Sequence, residues 1–483
     1  MLSYARFDHQ GEAKLPLTLT VENQVWNLTG RESAEYIEAL SYSDNVTSPC
    51  RYGPLVDHGI LDWVNQSGGY VPLKSPNLNN ACRGGIRLLV LERALYRPPS
   101  FHIRKETYLD IEKRFNLPEN TLLAVSNEGG MSTHVLDIDE ETGNPKSLSM
   151  IIKAHQKFQV GNYGLAFSYD FATSISTGIL HGTGVTQTGG DYGLWSKQAA
   201  AEIFEHVKTA RHLWTHPLFL PTILLQHHLL RADYFCTVVL ANRLTDVQHQ
   251  LGTVRAGRLF GRQALNIATE LPVKEAKVSL SELTVEMSSL TFDAIWFCSV
   301  SDWQCSCLVL LREVLVKIES LESRPRWKRL MHAKIQYLSS LAESIKRHNS
   351  GIKETGQADM NVLYSIISQV DNRLNAKMAA AASRDSAAMK TLAFLTTIFL
   401  PGTFIATVFS TGLFDWDGGG MVVSKLFWVY WVVAVPVTII VGVGWRLWWN
   451  NEKKRFDEDL NTEIKAMNGN SEIMGKISKS KVF

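Results

Sequence analysis

Seven residues between positions 389 and 410 combine hydroxyl groups with bulky apolar side chains. They recur at spacings of three or four residues, which places them on one face of a helix with about 3.6 residues per turn. Hydroxyl oxygens can accept hydrogen bonds from the water shell of an ion, and large apolar side chains can form constrictions that dewet. This pattern predicts a pore-lining face made by Met389, Leu392, Thr396, Leu400, Thr403, Thr407 and Ser410.

The same hydroxyl groups have a second interpretation. Threonines in membrane helices often donate to backbone carbonyls of the preceding turn, with no role toward a ligand. For any single threonine of this face, such as Thr403 or Thr407, the sequence favours neither interpretation.

A short segment rich in oxygen ligands follows the hydroxyl-bearing face. It contains Thr411, Asp415 and Asp417. If several copies of the chain surround one axis, these carboxylates concentrate cations at one entrance. A solvated loop is the alternative interpretation.

Three other motifs do not indicate a site. His212 and His216 have the i, i+4 spacing of zinc ligands but lack the glutamate of H-E-x-x-H. The glycine-rich segment 182–193 lacks the GK[ST] of a phosphate-binding loop, and the acidic segment 137–144 does not have the spacing of an EF-hand. No catalytic arrangement is recognisable, so we predict neither an enzyme nor a resident cofactor.

Two uncharged runs carry the candidate face and its partner. No charged residue occurs from Thr391 to Phe414 or from Leu426 to Trp445. At 1.5 Å per residue, each run can cross a hydrocarbon core of about 30 Å as a helix. We therefore predict two transmembrane helices; a buried helical hairpin in a soluble core is the alternative.

Aromatic and basic residues at the ends of these runs predict their orientation. Trp428, Tyr430 and Trp431 lie at one end of the second run and Trp445, Trp448 and Trp449 at the other, as at membrane interfaces. Basic residues precede the first run and follow the second, whereas the connecting loop carries Asp415 and Asp417. The positive-inside rule then places both termini in the cytosol, in the plasma membrane or an internal membrane.

One long helix is predicted to lead into the first run. No glycine or proline occurs between Gln357 and Leu400, and apolar residues follow the 3-4 spacing of a packing seam. The narrow apolar stripe suits packing beside copies of the same chain; an ordinary helix capping the domain is the alternative. The seam consists of Met360, Leu363, Ile367, Val370, Leu374 and Ala381.

The remainder of the chain reads as a soluble α/β part followed by helices. Strand patterns occur near residues 85–95, 131–139, 146–155 and 163–171, and an amphipathic helix is predicted at 104–118. The predicted organisation is a cytosolic α/β domain (1–193), a cytosolic helical region (194–350), a stalk helix (351–390), transmembrane helix 1 (391–414), an extracytosolic loop (415–425), transmembrane helix 2 (426–449) and a cytosolic tail (450–483).

Composition restricts the partners only weakly. The 483 residues carry a formal net charge of +2, and no basic face is interleaved with aromatic residues, so nucleic acid is not an expected partner. The N-terminal stretch has no basic and apolar signal pattern, so we expect the lipid bilayer to be reached through the internal runs.

The order of these elements, together with two segments, resembles the CorA family of divalent-cation channels. The segment DSAAMKTLAFLTTIFLPGTFIATVFS, from Asp385 to Ser410, is similar to the first membrane helix of that family. The segments HPLFLPTILLQHHLLRADYF and DVQHQLG resemble its fungal CorA-like branch. The resemblance implies a homopentamer whose long helices surround a central pore.

One departure from the family lies at the end of that helix. The family carries Gly-Met-Asn, whose amide oxygens hold a hydrated Mg²⁺, whereas the matching positions here are Ser410, Thr411 and Gly412. Because Mg²⁺ loses its water reluctantly, other oxygen acceptors could replace the amide ring. We therefore predict a selectivity mouth made by Thr411, Gly412, Asp415 and Asp417.

Three functional hypotheses follow. The first is passive transport of a divalent cation, with Mg²⁺ expected, by a homopentamer; the second is transport of Zn²⁺ or another divalent ion. The third is a membrane-anchored scaffold or sensor that no longer conducts. Loss of Gly-Met-Asn favours the third, whereas the hydroxyl-bearing face and the acidic mouth favour transport.

Overall fold

The structure is a computed structural model that describes residues 26, 31–42, 49–70, 82–93, 100–118, 121–122, 129–157, 159–186, 198–251, 279–321, 325–410, 428–451 and 454. The chain forms two compact units, Met1–Ser365 and Ile366–Phe483.

A seven-stranded sheet forms the centre of the first unit. Its strand order is β2-β1-β3-β7-β6-β5-β4, with β3 and β7 parallel and every other neighbouring pair antiparallel. The strands are β1 (Ser33–Tyr42), β2 (Cys50–Val56), β3 (Cys82–Glu92), β4 (Met131–Ile138), β5 (Pro145–Lys153), β6 (Asn162–Asp170) and β7 (Ile175–Thr183).

Helices surround this sheet and continue the chain. The α-helices are α1 (His58–Asn65), α2 (Lys105–Arg114), α3 (Ala199–Thr209), α4 (Phe219–Tyr234), α5 (Ala241–Leu251), α6 (Leu280–Leu321), α7 (Pro325–Ser410) and α8 (Trp428–Asn451). A π-helical segment, Phe235–Leu240, joins α4 to α5.

The sheet is buried on both faces because its side chains alternate between two apolar clusters. On β3, Ile86 and Val90 belong to a cluster that contains the helical residues Phe219 and Phe297. Leu89, on the opposite face of the same strand, belongs to a cluster with residues of α1 and α2. This period of two follows from strand geometry, and it makes the first unit an α/β domain with helices on both sheet faces.

The predicted fold class is confirmed: an α/β sheet domain is followed by long helices and by apolar helices. The predicted strands correspond to β3, β4, β5 and β6, and the amphipathic helix to α2. The boundary predicted after residue 193 lies outside the described residues.

The predicted start of the stalk at residue 351 lies within α7, which begins at Pro325. The helix continues through Gly351 and Gly356. A glycine inside a helix lowers its stability by about 1 kcal/mol relative to alanine, but tertiary packing can outweigh this cost. A Cβ at Gly356 would lie 3.3 Å from the Thr291 hydroxyl of α6, so this glycine permits close contact between the two helices.

Three helices are long and apolar enough to cross a membrane, judged by length and composition: Leu280–Ser320, Arg329–Ser410 and Trp428–Asn451. In the most apolar stretch of the first helix, half of the residues are buried inside the protein. The corresponding shares are 11% for the second helix and 6% for the third. Since Leu290, Phe297 and Leu311 of α6 belong to the core of the α/β domain, packing accounts for the apolar character of that helix.

Candidate functional site: the hydroxyl-bearing face of α7

The seven residues of the predicted face lie in the last turns of α7, within the second unit. Helical geometry brings them onto one side. Their three large apolar members are strongly exposed, with Met389 at 71%, Leu392 at 66% and Leu400 at 64%. The four hydroxyl-bearing members are exposed as well.

The opposite side of this segment packs against α8. Ile405 and Ala434 are buried, and the rings of Phe394 and Trp445 lie 5.0 Å apart. The Tyr430 hydroxyl donates to the carbonyl of Gly402 at 3.3 Å. On a helix with about 3.6 residues per turn, this packed side and the hydroxyl-bearing face lie roughly 180° apart, so the face stays exposed beside α8, whose Val437 borders it near Thr403 and Thr407.

Every hydroxyl of the face donates to a carbonyl of its own helix. Thr396 donates to Leu392 at 2.8 Å. Thr403 donates to Phe399 and Leu400 at 3.1 and 3.0 Å, Thr407 to Thr403 and Phe404 at 3.0 and 2.7 Å, and Ser410 to Thr407 at 2.9 Å. The hydrogen bonds of the second interpretation, from each hydroxyl to a carbonyl of the preceding turn, are therefore present.

These bonds do not exhaust the chemistry of the hydroxyl groups. A hydroxyl has one proton and two lone pairs, and donation to a carbonyl uses only the proton. The oxygen of an exposed hydroxyl such as Thr407 can still accept a hydrogen bond from a water molecule in the shell of a cation. A face that bonds to its own backbone is thus also suited to act as a row of acceptors.

The predicted mouth falls on residues that the structure does not describe. Thr411, Gly412, Asp415 and Asp417 lie in the segment 411–427, outside the described residues. Their role stays a prediction from the sequence.

Within the described ranges, no group of three or more His, Cys, Asp or Glu side chains could hold a metal ion. His216 is buried, its Nδ1 accepts from the Leu218 amide at 3.0 Å, and burial lowers its pKa to about 3. His212 is exposed. The two histidines therefore lie in different environments, with His216 satisfied by the backbone.

The acidic segment 137–144 forms a turn. Asp139 accepts from the amides of Glu141 and Thr142 at 2.9 and 3.1 Å. These backbone bonds, chiefly that of Thr142, lower the pKa of Asp139. The carboxylate thus has a structural function in the turn between β4 and β5.

A buried polar chain in the first unit was not predicted from the sequence. The Tyr163 hydroxyl lies 2.7 Å from Nδ1 of His227, and Nε2 of His227 lies 2.7 Å from Glu202, which also accepts from Arg231 at 2.9 Å. Burial lowers the pKa of His227 to about 4. A neutral His227 that donates from Nε2 and accepts from Tyr163 satisfies each partner, and the chain links β6 to α3 and α4.

Comparisons with known proteins find distant likenesses. No protein-family model matches the chain. The notoamide biosynthesis cluster protein M' of Aspergillus versicolor is 29% identical over 102 residues, which are 20% of this chain and 21% of that protein. The chain therefore spans about a fifth of the length of the curated relative that it matches.

Two solved structures are similar to the chain over most of their length. The CorA magnesium transporter from Methanocaldococcus jannaschii is 12% identical, with a TM-score of 0.38, covering 87% of this chain and 98% of its own. The full-length CmaX protein is 12% identical, with a TM-score of 0.41, covering 87% of this chain and 99% of its own. At these scores the likenesses carry no argument about function.

Proposed function

We propose that the chain is a CorA-like membrane transporter for divalent metal cations, with Mg²⁺ as its main ion. The observation that carries this proposal is the placement of the hydroxyl-bearing face of α7 directly opposite the side that packs against α8. In an assembly of copies around one axis, this open face is available to line a central path, and its hydroxyl oxygens can accept from hydrated ions.

The same proposal includes the membrane topology. Residues 391–414 and 426–449 cross the bilayer, and both termini lie in the cytosol, as the distribution of basic residues favours. Five copies form the assembly, as the resemblance of Asp385–Ser410 to the first membrane helix of the family implies.

Asp415 and Asp417 concentrate cations at the outer entrance in this proposal. Two aspartates in each of five copies place about ten negative charges around one opening, which attracts divalent ions more strongly than monovalent ions. Zn²⁺ or another divalent ion is the alternative cargo.

A scaffold or sensor without transport is a second candidate. The absence of Gly-Met-Asn at positions 410–412 favours it, because the family holds its hydrated ion there. On this view the hydroxyl-bearing face serves only helix packing.

Metal flux into proteoliposomes of the purified chain separates these candidates. We expect uptake of Mg²⁺ above that of empty vesicles, with Zn²⁺, Co²⁺ and Ni²⁺ compared in parallel. Asp415→Asn with Asp417→Asn should reduce uptake, whereas Asp371→Asn, far from the mouth in sequence, should not. Equal background leak for all four metals would overturn transport, and a monomeric mass in detergent would remove the central path.

A further inference from the structure

A cavity lies in the first unit, between the end of α3, the helix α4 and the beginning of α7. Its volume is about 340 Å³. Pockets that bind small molecules have volumes of roughly 300–1,000 Å³, with mostly apolar walls and a few polar groups. We call this space the α3–α4–α7 cavity.

The floor of the cavity is apolar. Phe219 and Ile223 lie one turn apart on α4, and Leu213 and Met331 line the floor from the segment after α3 and from α7. These four side chains are buried, and all belong to the apolar cluster that covers one face of the sheet. Because the core of the domain holds this floor in place, the cavity is formed without a ligand.

One cation, Lys334, lines the cavity without a carboxylate partner. None of the salt bridges among the described residues involves Lys334. No Asp or Glu lines the cavity in the part of the chain that the structure describes. Burial lowers the pKa of Lys334 from its ordinary value. A half-buried ammonium that lacks a counter-ion is stabilised by an anionic group of a ligand.

Neutral polar groups accompany this cation. Burial lowers the pKa of His206, and the positive charge of Lys334 acts in the same direction, so the His206 ring is neutral at pH 7. Gln226 lines the cavity from α4, and its Oε1 is buried without a hydrogen-bond donor among the described residues. The walls therefore offer one positive charge together with neutral hydrogen-bonding groups.

Two carboxylates near His206 restrict the position of an anionic ligand. Glu202 and Glu205 both act to raise the pKa of His206, so their negative charges lie near that ring. Glu202 belongs to the buried polar chain described above, and Glu205 is exposed. A negative group in the cavity is therefore more stable on the α7 side, at Lys334, than on the α3 side.

We propose that the α3–α4–α7 cavity binds a small organic acid with one negative charge, whose carboxylate contacts Lys334 and whose apolar body packs against Phe219 and Ile223. The volume is sufficient for a single aromatic ring with its carboxylate. This site goes beyond the proposed transport of metal ions and does not depend on it, because the cavity lies within the α/β domain.

The balance of charge and apolar surface distinguishes this ligand from inorganic phosphate. A phosphate dianion would bring two negative charges to a cavity with a single unpaired cation. Phosphate also has no apolar surface to bury against Phe219 and Ile223, and its desolvation there is costly. A monocarboxylate with a ring matches both the charge and the floor.

Saturation-transfer NMR of the full chain in detergent tests the proposal with three probes of similar shape. These are benzoate, benzamide and benzamidine, which are negative, neutral and positive. We expect benzoate to bind about three- to tenfold more tightly than benzamide, between the values for an exposed ion pair and for a charged hydrogen bond. Lys334→Gln should remove this preference, and Lys334→Glu should favour benzamidine. Lys353→Gln, on the same helix outside the cavity, should behave as the wild type.

Three outcomes would overturn the proposal. The first is equal affinity of the wild type for benzoate and benzamide, and the second is a preference for benzoate that persists in Lys334→Gln. The third is displacement of benzoate by an equal concentration of inorganic phosphate, which would replace the organic acid by a simple anion. Absence of benzoate binding together with a smaller assembly in Lys334→Gln would assign the cavity to a carboxylate of a neighbouring copy instead.

Discussion

Thr396 and Thr397 form a matched pair that tests the role of the hydroxyl-bearing face. Each hydroxyl donates to the carbonyl four residues earlier at 2.8 Å, Thr396 to Leu392 and Thr397 to Ala393. Thr396 belongs to the open face, whereas Thr397 is half-buried and lies about 100° around the helix. Valine has nearly the same shape as threonine and removes only the hydroxyl.

The size of the effect follows from the lost acceptors. A back-bonded hydroxyl contributes little to helix stability, so both Thr→Val variants should fold and assemble alike. If an ion's water shell loses two such acceptors in a ring of copies, at about 1 kcal/mol each, the barrier rises by about 2 kcal/mol. That corresponds to roughly a 30-fold lower flux, since each 1.36 kcal/mol is tenfold in rate.

The assay is initial Mg²⁺ uptake into proteoliposomes at equal protein density. We expect Thr396→Val to transport roughly 30-fold more slowly and Thr397→Val to stay within about twofold of the wild type. Equal rates for the two variants, with intact assembly, would refute the assignment of ion contacts to the Thr396 side.

Two further predictions concern the α/β domain. A Cβ at Gly178 would lie 2.7 Å from the Cβ of Phe167 and 2.8 Å from a backbone oxygen, so Gly178→Ala should lower the free energy of unfolding by about 1–3 kcal/mol in denaturant titration. Gly69→Ala, where nothing lies within 4 Å, is the control, and equal midpoints would contradict the packing argument. Burial lowers the pKa of His227 to about 4 and of His228 to about 3, below their ordinary value of 6.5, so the unfolded chain binds more protons between these values. Stability should be fully present above about pH 6.5 and fall as the pH is lowered toward 4, with a smaller fall in His227→Gln; stability that rises on acidification would contradict this.

Local patterns predicted those elements whose burial follows a simple period. The strands β3 and β6 are rich in apolar residues that alternate between two buried faces, and the uncharged runs are visible without any tertiary information. The open face of α7 could also be predicted, because a spacing of three or four residues defines a side of a helix regardless of what surrounds it.

Other elements depend on partners that are distant in sequence. Strand β1 contains Glu38, whose carboxylate pairs with Arg87 of the neighbouring strand β3 at 3.3 Å. Because a charged residue is not expected in a buried strand, the sequence pattern did not predict β1. The apolar character of α6 fits both a membrane helix and a helix of a soluble core. Only its packing in the core of the α/β domain, which the sequence does not show, distinguishes the two. The chain from Tyr163 through His227 to Glu202 joins residues 64 and 25 positions apart, and no local pattern predicts it.

The most direct test of the central claim is thiol modification of a cysteine introduced on the open face of α7. We predict that Thr403→Cys proteoliposomes lose metal uptake when treated with a membrane-impermeant thiol reagent. Thr397→Cys and the wild type, with its own six cysteines, should keep their uptake under the same treatment. Uptake that persists in treated Thr403→Cys, despite complete labelling of that cysteine, would contradict a path lined by the hydroxyl-bearing face.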